Sequence, residues 1–186
     1  MKSMFIAAIL SIFLLDGSIY DLKITTIGQH EKINLSDFHG KKLLIVNIAC
    51  KSPYTFQLEE LEELYKAYNK QVVVIGFPCG EDFGSQELKT NRDILNFCEG
   101  VYGITFPLNE KTSALGSDQH PVFKWLVEEA KKMGMVEPII KWNFTKFLLD
   151  ENGKLVKVFP ADVAPLNQKI TSLLNDNLGN KKSGKK

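Results

Sequence analysis

The sequence offers few of the features that settle a function at sight. Its 23 lysine and arginine residues meet 22 acidic ones, leaving a formal net charge of +1. Balanced charge with scattered basic residues gives no footprint for nucleic acid. The exception is Asn180-Lys181-Lys182-Ser183-Gly184-Lys185-Lys186, which reads as a disordered basic tail. Histidine is scarce: His30, His39 and His120 lie far apart in sequence. The three cysteines, Cys50, Cys79 and Cys98, form no Cys-x-x-Cys pair and no Cys/His spacing, which argues against a metal site. There are no repeats and no low-complexity segments. A chain of 186 residues fits one domain with a proper core.

Lys2 precedes an apolar run from Met4 to Leu15, followed by Asp16-Gly17-Ser18. A basic start, a dozen mostly apolar residues and small residues after them match a secretory signal peptide. The run is short for a membrane span. Residues 1–17 are therefore expected to be a signal peptide or, uncleaved, an N-terminal anchor. Residues 18–178 form the domain and 179–186 the tail. The mature chain, starting near Ser18 or Ile19, is expected outside the cytosol, secreted or periplasmic. An odd cysteine count there implies one bridge plus a reactive thiol, or three free thiols.

Leu43-Leu44-Ile45-Val46 is an unbroken apolar run, the pattern of a strand buried on both faces. Leu58, Leu61, Leu64, Tyr65 and Tyr68 then recur at helical spacing opposite a row of glutamates. Asn47 to Pro53 is thus a strand-to-helix turn, on the sheet edge where open α/β proteins place ligands. A thiol in that turn, Cys50, is expected to feel the helix N-terminus, which favours thiolate. Gln71 to Phe77 is a second buried strand, stopped by Pro78. Strand, helix, strand implies a right-handed crossover and a parallel pair. Neighbouring strands run about 4.8 Å apart, so Cys50 and Cys79, both just past a strand end, are expected within reach of each other.

Farther along, Ile19–Thr25 and Lys32–Leu35 suggest a small hairpin. Thr90 or Asn91 caps a short helix with Cys98 near its end, and Gly103 follows it. His120 to Lys132 is helical, with His120-Pro121 as its start. Phe144–Leu149 and Lys154–Phe159 flank Asp150-Glu151-Asn152-Gly153 as a hairpin. A last helix runs from about Pro165 to Leu178. A central mixed β-sheet flanked by helices on both faces is a thioredoxin-like arrangement of the α/β class.

With these residues placed, the chain resembles the glutathione peroxidase family over nearly all of the mature sequence. The matching stretches are Leu43 to Ala49, Gly76-Phe77-Pro78-Cys79 with Phe83-Gly84-Ser85-Gln86-Glu87, Phe97-Cys98 with Tyr102-Gly103-Ile104-Thr105-Phe106-Pro107, His120-Pro121, and Ile140-Lys141-Trp142-Asn143-Phe144-Thr145-Lys146-Phe147. The resemblance implies reduction of hydrogen peroxide or organic hydroperoxides. It implies no bound cofactor, only a thiol co-substrate, glutathione or a thioredoxin-like protein. In such chemistry a thiolate attacks the O–O bond, and the sulfenic acid is reduced by a second thiol. Trp and amide side chains hold the peroxide and steady the departing oxygen. Trp142 and Asn143 match those positions. No long insertion separates the Leu126 helix from Trp142. In the family that insertion accompanies tetramers, so the resemblance implies a monomer with an open site and a thioredoxin-like reductant.

The active-site motif departs from the family. Without a gap, the redox position falls on Ser52 and the following glycine on Pro53. An unactivated hydroxyl is a poor nucleophile and serine has no sulfenic counterpart. Ser52 before Pro53 also describes a helix N-cap. Where the family carries a glutamine, this chain has Glu81-Asp82 with one extra residue, and a carboxylate near a thiol raises its pKa. Cys50 then has two readings. It is a relocated peroxidatic thiol, shifted by about 6 Å along an extended chain, or a buried small hydrophobe. Cys98 matches the resolving cysteine of thioredoxin-dependent members, or is a helix-face core residue. Cys79 reads as structural, with a Cys50–Cys79 bridge as an alternative that would remove the nucleophile. A fold kept as a non-catalytic binding or redox-sensing module is the rival to peroxide reduction. Asn143-Phe144-Thr145 and Asn34-Leu35-Ser36 are also glycosylation sequons.

Overall fold

Two apolar runs build the centre of the molecule. In the computed structural model, which describes residues 17–175, they become β3 (Lys42–Ile48) and β4 (Val72–Pro78), buried at every position. A small antiparallel hairpin, β1 (Lys23–Thr25) with β2 (Lys32–Asn34), precedes them. β3 and β4 pair in parallel, with Ile48 opposite Pro78. The expected C-terminal hairpin forms β5 (Lys146–Leu149) and β6 (Leu155–Phe159), and β5 lies antiparallel on the free side of β3. The four-stranded sheet runs β4-β3-β5-β6. The signal-like segment up to residue 16, the basic tail and the end of the last helix lie outside the described residues.

Helices α1 (Gln57–Ala67), α2 (Asn91–Tyr102) and α4 (Gln168–Asn175) cover one face of the sheet, and α3 (Pro121–Lys132) covers the other. Thr90 caps α2 by accepting the Asp93 N–H at 3.1 Å, and Gly103 ends it at φ +62°. His120 starts α3, its Nδ1 accepting the Val122 N–H at 3.2 Å. Burial holds that imidazole below its usual pKa, in the neutral form that can accept.

The two-residue repeat of a strand sorts its side chains between the faces. Leu44, Val46, Ile48 and Cys50 belong to the core under α1 and α2, together with Val72 and Val74. Leu43, Ile45, Val73, Ile75, Phe77 and Cys79 belong to the core under α3. Cys50 and Cys79 are therefore neighbours along the sheet edge but lie on opposite sides of it. This corrects the expectation that they come within reach. It removes the Cys50–Cys79 bridge.

Candidate active site

The turn after β3 is tighter than expected. α1 begins at Gln57, not at Pro53, and successive three-residue bonds lead into it: Thr55 N to Ser52 O at 3.0 Å, Gln57 N to Tyr54 O at 2.9 Å and Leu58 N to Thr55 O at 3.0 Å. The Thr55 hydroxyl gathers the carbonyls of Ala49, Cys50 and Ser52 within 3.2 Å. Ser52 is not an α1 N-cap. It is buried, and its Oγ accepts the Tyr54 N–H at 3.2 Å, holding the turn. A serine two residues from the partner it serves needs no catalytic role to explain it.

Cys50 sits seven residues before α1, and its N–H does not face a thiolate. That N–H donates to Glu87 Oε1 at 3.1 Å. Cys50 is only 6% exposed. It packs in the same core cluster as Cys98, which arrives from α2 fully buried. The Cys98 thiol, then burial, then the Glu87 carboxylate push the Cys50 thiol well above its ordinary value. The expected help from the helix N-terminus is overturned, because the chain turns twice more before the helix begins.

The acid nearest Cys50 is Glu87, the last residue of the Phe83-Gly84-Ser85-Gln86-Glu87 stretch, whose carboxylate accepts the Cys50 N–H. Glu81, expected at the thiol, is half-exposed and bound to Lys111 Nζ at 2.9 Å. That ammonium holds its carboxyl below the usual range. Asp82 accepts the Ala114 N–H instead and acts on Cys79, not Cys50. Glycine at position 80 brings Glu87 in. A Cβ there would lie 2.6 Å from Gln86 C and Glu87 N, so only Gly80 lets that segment close on the turn. The Lys51 N–H then donates to Gln86 O at 2.8 Å.

Trp142 and Asn143 reach the same sheet edge. Asn47 of β3 donates to the Trp142 carbonyl at 3.2 Å, and the Phe144 N–H donates to the Asn47 carbonyl. Trp142 is 36% exposed and packs on Phe83 with centroids 5.5 Å apart. It lines an open, mainly apolar groove of about 730 Å³, with Pro53, Tyr54, Met135, Pro138 and Val158 among the walls. Cys50 faces away from that groove, toward Cys98. Asn143 is fully buried, and neither end of its carboxamide has a hydrogen-bond partner. Burial on that scale leaves its sequon unusable in the folded protein. Beneath the groove, fully buried Lys146 donates to Phe144 O at 2.8 Å and Ala161 O at 3.3 Å. Burial lowers its pKa to about 7. Cys79 is fully buried among the α3-side residues, its thiol raised by desolvation.

The structure thus joins Cys50 to Cys98, keeps Trp142 and Asn143 beside the end of β3, and separates Glu81 and Cys79 from them. Known proteins repeat the arrangement of the chain. The glutathione peroxidase family profile matches residues 19–127. The chain is 42% identical over 160 residues to the glutathione peroxidase homolog BsaA of Bacillus subtilis, covering 84% of this chain and 98% of that one. It is 43% identical over 162 residues to glutathione peroxidase-like peroxiredoxin 2 of Saccharomyces cerevisiae, covering 85% and 98%. A hydroperoxy fatty acid reductase of Synechocystis is 45% identical over 140 residues, covering 72% and 81%. The apo crystal structure of Trgpx superposes with a TM-score of 0.66 at 33% identity, covering 87% and 97%. A thioredoxin-like superfamily protein at 16% identity shares the fold alone, with a TM-score of 0.55 over 86% and 98%. With this sheet order, this site and these relatives, the chain belongs to the glutathione peroxidase family.

Proposed function

We propose that this protein reduces hydroperoxides at the expense of a thiol donor, with Cys50 as the sulfur that is oxidised and Cys98 as the thiol that resolves it. The observation that carries this reading is that Cys50 and Cys98 are buried in one core cluster on the same side of the sheet, where the Cys98 thiol raises the Cys50 pKa. Peroxide oxygen passes to Cys50 as a sulfenic acid, Cys98 displaces it as water, and a thioredoxin-like protein or glutathione reduces the disulfide. Asn143 supports the reading, since a buried carboxamide without partners offers a donor and an acceptor to a polar substrate atom.

Consumption of hydrogen peroxide and of an organic hydroperoxide, with thioredoxin and its reductase, tests this. Wild type should turn over and Cys50→Ser should not. Equal rates would overturn the assignment of Cys50. A second reading, a redox-responsive module without turnover, is favoured by the burial and raised pKa of the same thiol. It predicts that the disulfide forms once and that no reductant sustains consumption.

Export is also proposed. Ser18 and Asp21 cap each other's backbone, and Ile19 is fully buried. Cleavage just before Ser18 would spare this packing, and N-terminal sequencing of the exported chain checks it. The chain is proposed to act as a monomer.

A further inference from the structure

The Cys50–Cys98 pair is closed in by a carboxylate that the proposed reaction has not used. Glu87 is 2% exposed. Its Oε1 accepts two backbone N–H groups, from Cys50 at 3.1 Å and Leu88 at 2.9 Å. Its Oε2 is buried with no hydrogen-bond partner. A buried, unpartnered acceptor is costly to keep and calls for an explanation. The neighbouring group able to supply a proton is the Cys50 thiol: the Cys50 backbone N–H sits on Glu87 Oε1, Cys98 packs in the same core cluster, and both the Glu87 carboxylate and the Cys98 thiol raise the Cys50 pKa. The other ionisable groups do not compete for that place. Tyr102 faces the two thiols from α2, with Glu59 of α1 beyond it. Lys51 places its ammonium on the Glu87 carbonyl oxygen, 3.1 Å away. Cys79 is buried in the core on the α3 side of the sheet, where the Glu87 charge adds to the rise of its pKa.

We propose that Glu87 is the proton acceptor for the Cys50 thiol when the Cys50–Cys98 pair is oxidised. This rests on the peroxidase reading only for the identity of the oxidant. The Cys50 S–H bond breaks toward Glu87, and the sulfur electron pair forms a bond to the terminal peroxide oxygen. The O–O bond breaks, and the departing alkoxide takes the proton from Glu87 and leaves as an alcohol. Cys98 sulfur then attacks the Cys50 sulfenic sulfur, the S–O bond breaks, and the hydroxide leaves as water with the Cys98 proton. The dithiol has lost two electrons and the peroxide has gained two. A thiol whose surroundings disfavour a standing thiolate needs such an acceptor, because its proton must leave during the attack.

The test follows formation of the Cys50–Cys98 disulfide by mass, from pH 5 to 9, in wild type, Glu87→Gln and Glu87→Asp. Two oxidants are used separately: hydrogen peroxide, and the azo compound diamide, which takes two electrons and two protons from a dithiol. With Glu87 as acceptor, the wild-type rate changes less than about threefold between pH 6 and 8. Glu87→Gln is slower by roughly tenfold or more at pH 7 and climbs about tenfold per pH unit, as direct ionisation requires. Glu87→Asp keeps the shallow profile. A Glu87→Gln rate equal to or above wild type at pH 7 overturns the proposal, since the carboxylate then only repels thiolate. If Glu87→Gln does not fold, the wild-type profile decides, because a tenfold rise per pH unit there overturns it as well. A shallow, Glu87-dependent profile with diamide and no reaction with peroxide leaves the proton acceptor standing and removes the peroxidase reading. No disulfide with either oxidant overturns both.

Discussion

Replacing Cys98 by alanine separates a resolving thiol from a core residue. Cys98 is fully buried on α2 beneath the sheet. Removing one buried heavy atom costs about 1 to 2 kcal/mol, from lost burial and a small cavity. The variant should therefore fold with a modestly lowered Tm. Its chemistry should change far more. In wild type, one equivalent of peroxide ends at the disulfide, with a loss of about two mass units per chain. In Cys98→Ala the sulfenic acid at Cys50 has no partner. Excess peroxide then carries it to sulfinic and sulfonic acid, gains of roughly 32 and 48 mass units. The assay is intact mass after graded additions of peroxide, with peptide mapping to locate the oxidised residue. A Cys98→Ala chain that loses a little stability and consumes peroxide catalytically as wild type does would refute the resolving role.

Ser52→Cys should raise peroxide consumption by roughly tenfold or more, because it puts sulfur where Tyr54 offers its N–H and beside the Trp142 edge; no gain would mean the family site no longer accepts peroxide here. Lys146 gives a pH-dependent prediction. Its folded pKa, about 7, lies below the ordinary lysine value of 10.5. Between these values the unfolded chain holds a proton that the folded one has released, so stability rises with pH across that window. Urea unfolding at pH 7 and pH 10 should show wild type gaining a few kcal/mol relative to Lys146→Met. Parallel pH curves for the two proteins would show that burial does not dominate at this ammonium.

Much of this architecture is written in local patterns. The buried runs of β3 and β4, the hairpin around Asp150–Gly153, Thr90 before α2 and His120 before α3 each follow from neighbouring residues, and the structure forms each of them. The site was less legible because its contacts are not local. Pro53 suggested the first residue of α1, but the Thr55 hydroxyl collects three carbonyls and delays the helix to Gln57. Cys50 and Cys79 looked adjacent until the register was known, and parity then put them on opposite faces. Glu87 meets Cys50 across 37 residues, a distance no periodicity spans. The available signal was Gly80, a glycine where another segment packs closely, followed shortly by an acid in the Gln86-Glu87 pair. Glu81 was the nearer acid in sequence, and Lys111 holds it elsewhere.

Peptide mapping of the intact protein after one equivalent of hydrogen peroxide, with free thiols blocked before unfolding, is the most direct trial of the dithiol site. A single new disulfide joining Cys50 to Cys98 is expected, with Cys79 recovered as a free thiol. Recovery of all three cysteines as unmodified thiols after exposure to peroxide, or a bond from Cys50 to Cys79, would contradict it.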